Sequence, residues 1–138
     1  MFNALGSLDL VLDARVADLY AGSGAVGIEA LSRGARHCTF VERDRSALRA
    51  LRENLEHLEL TGQSRVLAAD SLTVAPSVDA DVVFADPPYD FVEWPRLLDA
   101  LKVPFVVAES GRQLPDFDDW ETIRSKRYGR TWVTFLQR

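Results

Sequence analysis

A chain of 138 residues with 47% hydrophobic side chains has the size of one domain, and buries roughly two thirds of the surface that its unfolded form exposes. Its single cysteine, Cys38, excludes an intramolecular disulfide, and its two histidines, His37 and His57, stand too far apart for a Cys/His zinc site. The net charge of −5 speaks against a nucleic-acid partner, but residues 67–121 hold twelve acids and three bases whereas residues 122–138 hold five bases and no acid.

In chain order, Phe2–Leu8 reads as a short helix or the tail of a longer one. Arg15–Tyr20 is a buried strand that runs into the glycine-rich stretch Ala21–Gly27. Val26–Arg33 is a helix, stopped by Gly34. His37–Glu42 is a second strand. Arg45–Leu60 is the clearest helix, with Leu48, Leu51, Leu55 and Leu58 at helical spacing and Gly62 just past its end. Arg65–Ala69 and the very apolar Asp81–Ala85 are the third and fourth strands. Phe91–Leu101 is a helix in which Pro95 takes an early position. Pro104–Glu109 is a fifth strand, and Trp120–Lys126 and Arg130–Gln137 pair as antiparallel strands around Tyr128-Gly129. Such alternation predicts an α/β fold with a mostly parallel sheet covered on both faces. No apolar stretch is long enough to span a bilayer and no secretory signal is visible, so a cytoplasmic protein without membrane contact is expected, by default a monomer.

Gly22-Ser23-Gly24-Ala25-Val26-Gly27 satisfies G-x-G-x-x-G between a predicted strand and a predicted helix. The glycines allow a tight turn and close approach of a ligand, the helix start offers free N–H groups, and Glu42 ends the next strand where an acid can accept ribose hydroxyls. A dinucleotide and S-adenosylmethionine both fit. Asp18, four residues before Gly22, favours the second: a carboxylate opposes a pyrophosphate but attracts an ammonium and a sulfonium. The same carboxylate can bond loop N–H groups and shape the turn.

Asp86-Pro87-Pro88-Tyr89 follows the fourth strand directly, placing an acid, a rigid carbonyl and an aromatic ring at the sheet edge where ligands bind. The exocyclic amine of a base is a poor nucleophile because its lone pair is delocalised. The Asp86 carboxylate and the Pro87 carbonyl can hold both amine hydrogens and turn the lone pair toward a methyl donor, while Tyr89 stacks on the base. The plainer alternative is a pair of prolines that merely ends a strand.

Together, Asp18-Leu19-Tyr20-Ala21-Gly22-Ser23-Gly24, the stretch Gly27–Ala35, Glu42 and Asp86-Pro87-Pro88-Tyr89 resemble the RsmD-type methyltransferases, bacterial enzymes that methylate the N2 amine of a guanine in 16S ribosomal RNA. The resemblance implies a Rossmann-like class I methyltransferase fold, with seven strands of which the last is antiparallel. It implies S-adenosyl-L-methionine contacts from Asp18, Tyr20, Ala21, Gly22, Gly24, Glu42, Arg43, Asp70, Ser71 and Asp86, with Asp70 accepting from the adenine amine. It implies Asp86, Pro87, Pro88 and Tyr89 as the catalytic set. The implied partner is 16S rRNA within the small ribosomal subunit or an assembly intermediate. Family members carry a further basic N-terminal segment before the helix in which this chain starts, so part of the RNA grip is expected to be missing here. Arg124, Lys126, Arg127 and Arg130 are candidates for the remaining grip.

Adenine-N6 methylation of DNA or RNA uses the same tetrapeptide and is the nearest alternative. A NAD-dependent oxidoreductase and a non-catalytic nucleic-acid-binding module are the remote ones.

Overall fold

The computed structural model describes residues 10–138, so the helix expected over Phe2–Leu8 lies outside the described residues. Apolar runs form the centre of one seven-stranded sheet: β1 (Arg15–Leu19), β2 (His37–Glu42), β3 (Ser64–Ala68), β4 (Val82–Ala85), β5 (Phe105–Ser110), β6 (Glu121–Tyr128) and β7 (Thr131–Gln137), in the order β3-β2-β1-β4-β5-β7-β6. The first five strands are parallel, and β7 runs antiparallel to both β5 and β6. All four residues of β4 are buried, as expected for a central parallel strand covered on both faces.

Alternating side chains along the strands divide the core in two. On one face Val16, Phe40, Phe84 and Phe135 pack with α1 (Ala25–Ser32) and α2 (Arg45–His57). On the other, Leu19, Val41, Val83 and Leu136 pack with α4 (Trp94–Ala100), and Leu72 and Val74 of the one-turn α3 (Ser71–Val74) lean on the same cluster. The rings of Phe40, Phe84 and Phe135 are fully buried, each contributing roughly 1.5–3 kcal/mol by leaving water. Among the described residues, no helix is long and apolar enough to cross a membrane.

The differences from expectation are local. The helix expected to reach Leu60 ends at His57, and Leu58 is 51% exposed rather than part of the apolar face. Its stop is a Schellman turn: the Leu60 N–H donates to the Leu55 carbonyl at 2.8 Å, with Glu59 in the left-handed conformation at φ 58. Gly62 instead sits in a separate 3-10 turn, Thr61–Gln63. The α4 helix starts at Trp94 rather than Phe91, with Pro95 in its first turn. Trp120 precedes its strand and is buried, its indole N–H donating to the Leu98 carbonyl. A bulge at Ile123 shifts the register between β6 and β7.

Candidate active site at the carboxyl edge of the sheet

The strand order reverses between β1 and β4, because β1 leads outward to β2 and β3 while β4 leads the other way to β5. Beyond the carboxyl ends of those two strands the connections diverge and leave a crevice. Register pairs Leu19 with Ala85, so the glycine loop and the Asp86 tetrapeptide emerge side by side.

In the glycine loop, two of the three motif glycines serve packing. A Cβ on Gly27 would stand 2.3 Å from the Phe40 ring and 2.7 Å from Cys38 Sγ, and one on Gly24 would stand 2.4 Å from Leu51 Cδ1. Gly27 thus lets α1 approach the sheet, while Gly24, at φ 92, lets the loop turn against Leu51 of α2. Asp18 lies behind the loop, 2% exposed, and its Oδ2 accepts from the Gly27 N–H at 3.0 Å. Burial, augmented by the nearby Asp86 and Glu42 charges, pushes its pKa up to about 8 despite that hydrogen bond. Asp18 therefore braces the loop and does not line the crevice. Glu42 fastens the loop from its other side, with Oε1 accepting from the Gly22 N–H at 2.7 Å and Oε2 accepting from the N–H groups of Arg43 and Asp44. An anionic pyrophosphate at this helix start would face the Glu42 carboxylate, which lines the crevice and holds the loop N–H of Gly22, and this disfavours the dinucleotide alternative.

The crevice holds a cavity of about 550 Å³, within the usual range for a small-molecule site. Its wall brings together Tyr20, Glu42, Arg43, Asp70, Ser71 and Asp86 from four different strand ends. Tyr20 is held at φ 58, a conformation that costs an aromatic residue on the order of 1–3 kcal/mol. Its N–H donates to the buried Ser71 hydroxyl at 3.1 Å, and its ring meets Phe91 edge-on at 5.6 Å. The Tyr20 phenol oxygen is buried without a hydrogen-bond partner among the described residues, and burial beside Asp70 and Glu93 pushes its pKa up to about 12. Asp70 caps α3 through Leu72 N–H and keeps further acceptor capacity toward the cavity. Ser71 is committed to Tyr20, and Ala21, Gly22 and Gly24 stand outside the cavity wall.

A second cavity, of about 280 Å³, opens on the β5 side and is lined by Pro87, Pro88, Tyr89, Glu109, Gly111 and Arg112 among others. The two cavities share Pro87 and Pro88 as a wall, with Asp86 on the first side and Tyr89 on the second. Partial desolvation and the Glu109 charge raise the Asp86 pKa to about 6. Tyr89 is 83% exposed, yet its ring lies across Gly111, where a Cβ would meet Cε2 at 2.3 Å. One ring face is thereby supported and the other left open.

Phe91, Glu93, Glu109 and Gly111, which are not among the site residues expected from the sequence, also line these cavities. Glu109 and Gly111 carried a readable signal, an acid and a glycine at the end of an apolar strand. That β5 lies beside β4 was not readable from either strand alone.

The comparisons agree with this architecture. The family model described as conserved hypothetical protein 95 matches residues 1–137. The Bacillus subtilis (strain 168) protein named "Putative rRNA methyltransferase YlbH" is 38% identical over 136 residues, covering 88% of this chain and 74% of that protein. The Escherichia coli (strain K12) protein named "Ribosomal RNA small subunit methyltransferase D" is 37% identical over 91 residues, which cover 64% of this chain and only 44% of that relative's length. The solved structure titled "Putative methyltransferase yhhF from Escherichia coli" superposes with a TM-score of 0.84 at 29% identity, covering 99% of this chain and 81% of that one. With the seven-stranded class I methyltransferase sheet and a family match over residues 1–137, the chain belongs to the conserved hypothetical protein 95 family, the RsmD-type methyltransferases.

Proposed function

We propose that this chain holds S-adenosylmethionine in the larger cavity and methylates the exocyclic N2 amine of a guanine of 16S rRNA held in the smaller one. The observation that carries this reading is the shared wall: Pro87 and Pro88 line both cavities, with Asp86 beside them on the larger side and Tyr89 on the smaller, so that groups held in the two cavities meet at one tetrapeptide.

The larger cavity suits the cofactor by its acceptors. Glu42 can take ribose hydroxyls and Asp70 the adenine amine, while the orphaned Tyr20 hydroxyl offers a donor and an acceptor. Asp18 favours the cofactor's positive charge from behind the loop, since a nearby cation lowers its raised pKa. When bound, the cofactor supplies a methyl group on a sulfonium, an electrophile that needs no further activation.

The protein's part is orientation and charge. The Asp86 carboxylate and the Pro87 carbonyl accept the two amine hydrogens, so that the nitrogen lone pair faces the larger cavity. As nitrogen becomes positive, Asp86 stabilises it and takes the surplus proton, which it returns to solvent through its exposed side. Tyr89, backed by Gly111, stacks on the base. Exposed Lys126, Arg127 and Arg130, with the half-buried Arg124, form a basic edge on and beside β6 that suits phosphate. Such a limited basic surface on an acidic body favours rRNA presented by the small subunit or an assembly intermediate over naked RNA.

The test is incubation with labelled S-adenosylmethionine and small ribosomal subunits lacking the methylation, followed by nucleoside analysis. Label in N2-methylguanosine is expected. Label in N6-methyladenosine would move the substrate to adenine, and no label in any nucleoside would refute the reading. Asp86→Ala should lose roughly 10²–10³-fold in turnover, while binding S-adenosylhomocysteine nearly as well as the parent by calorimetry. Near-normal turnover would remove Asp86 from the mechanism.

A further inference from the structure

We propose that Glu109 selects guanine over adenine, by accepting the N1–H of the base that stacks on Tyr89. The inference rests on the guanine reading above and names the edge by which the base is read.

Glu109 is the residue after Ala108 on β5, and Ala108 is in register with Ala85 on β4. Asp86 and Glu109 therefore occupy equivalent places at adjacent strand ends, about 4.8 Å apart in the direction across the strands. Their proximity is felt, because the Glu109 charge is one cause of the raised Asp86 pKa. Glu109 is half-buried in the wall of the smaller cavity, near Pro87, Pro88 and Tyr89. Among the described residues its carboxylate accepts no hydrogen bond and joins no ion pair, although Arg112 lines the same cavity. A half-buried acceptor left open inside a substrate cavity asks for a donor from the ligand.

Guanine carries two adjacent donors on its Watson–Crick edge, the N2 amine and N1–H. Two neighbouring carboxylates match that pair: Asp86 holds the amine and Glu109 takes N1–H. Adenine presents its amine beside an N1 lone pair, so the same placement would set a lone pair against the Glu109 carboxylate. Neither partner could then be satisfied, which is the kind of mismatch that gives strong rejection. The stacking platform of Tyr89 is blind to this difference, since every base has a face. Glu109 therefore acts as a specificity-determining residue, and the transfer chemistry remains with Asp86 and Pro87.

The test replaces the methylated guanine by 2-aminopurine, which keeps the N2 amine but has a bare N1. Small subunits reconstituted with either base at the mapped position serve as substrates for the full chain and its Glu109→Gln and Glu109→Ala variants. The parent should prefer guanine by roughly tenfold to a hundredfold in kcat/KM. In Glu109→Gln the amide can donate to the bare N1, so the ratio should fall by about tenfold or more. Glu109→Ala should lose the preference without gaining affinity for 2-aminopurine. Fluorescence titration of the 2-aminopurine subunits, with S-adenosylhomocysteine present, gives a readout that needs no turnover, and Glu109→Gln should bind them more tightly than the parent. Guanine methylation by the parent with an unchanged ratio in both variants would overturn the inference alone. Failure of the parent to methylate guanine would overturn the underlying reading and the inference with it.

Discussion

Asp86 must be ionised to accept two amine hydrogens, yet its surroundings hold its pKa up at about 6. Partial desolvation is the larger cause and the Glu109 charge the smaller. Because kcat/KM reports groups of the free enzyme, its pH profile should rise through about pH 6 and level off above. Glu109→Gln removes one raising influence, so the acid limb should move to lower pH, though not to the ordinary aspartate value, because desolvation remains. Rate measurements on modified-base-free subunits between pH 5 and pH 8 check both statements. A flat parent profile would mean that Asp86 ionisation does not gate the reaction. Asp86 itself was legible in the sequence, because two prolines after an apolar strand mark a strand end. Its pKa was not, since it depends on a neighbour supplied by a strand that lies 23 residues further along the chain.

Elements were legible to the extent that their signals were local. Uniformly apolar β4 and the leucine spacing of α2 are patterns that the chain displays on its own. The end of α2 is different, because it stops on Glu59 in a conformation that usually calls for glycine. No residue-type signal marks that stop, and the glycine that seemed to mark it serves the next turn. The bulge at Ile123 was hidden for a related reason: an extra residue shows only against the partner strand. The G-x-G-x-x-G run was visible, but its physical work lay partly elsewhere, in letting α1 approach Phe40 and the loop turn against Leu51. The left-handed Glu59 gives a direct prediction. Glu59→Gly relieves the Cβ strain and adds some unfolded-state entropy, for a net gain of roughly 0.5–1 kcal/mol. Urea unfolding should show a higher midpoint with an unchanged m-value. A lower midpoint would mean that the Glu59 side chain contributes more than its backbone strain costs.

Across the whole molecule, acids gather at one end of the sheet: Glu42, Asp70, Asp86 and Glu93 line the larger cavity, and Asp18 lies buried behind it. That arrangement suits a cationic ligand and penalises the empty protein, so the site should be visible in the stability of the fold. In the folded state Asp18 keeps its proton up to about pH 8, whereas in the unfolded chain it releases it near the ordinary value of 3.8. Between those values the folded state binds more protons than the unfolded one, so stability must fall as pH rises. Asp86 acts in the same direction, but only up to about pH 6. The loss between pH 6 and pH 8 is therefore assigned to Asp18. Asp18→Asn keeps an oxygen that accepts from the Gly27 N–H and removes the ionisable group. Chemical denaturation at a series of pH values should show the parent losing stability across this window, while the variant's curve is nearly flat there. Parallel curves would mean that the Asp18 carboxyl is charged at neutral pH even in the ligand-free fold. The variant should also bind S-adenosylmethionine more weakly at pH 8, where the parent has a carboxylate to set against the positive charge and the variant has none.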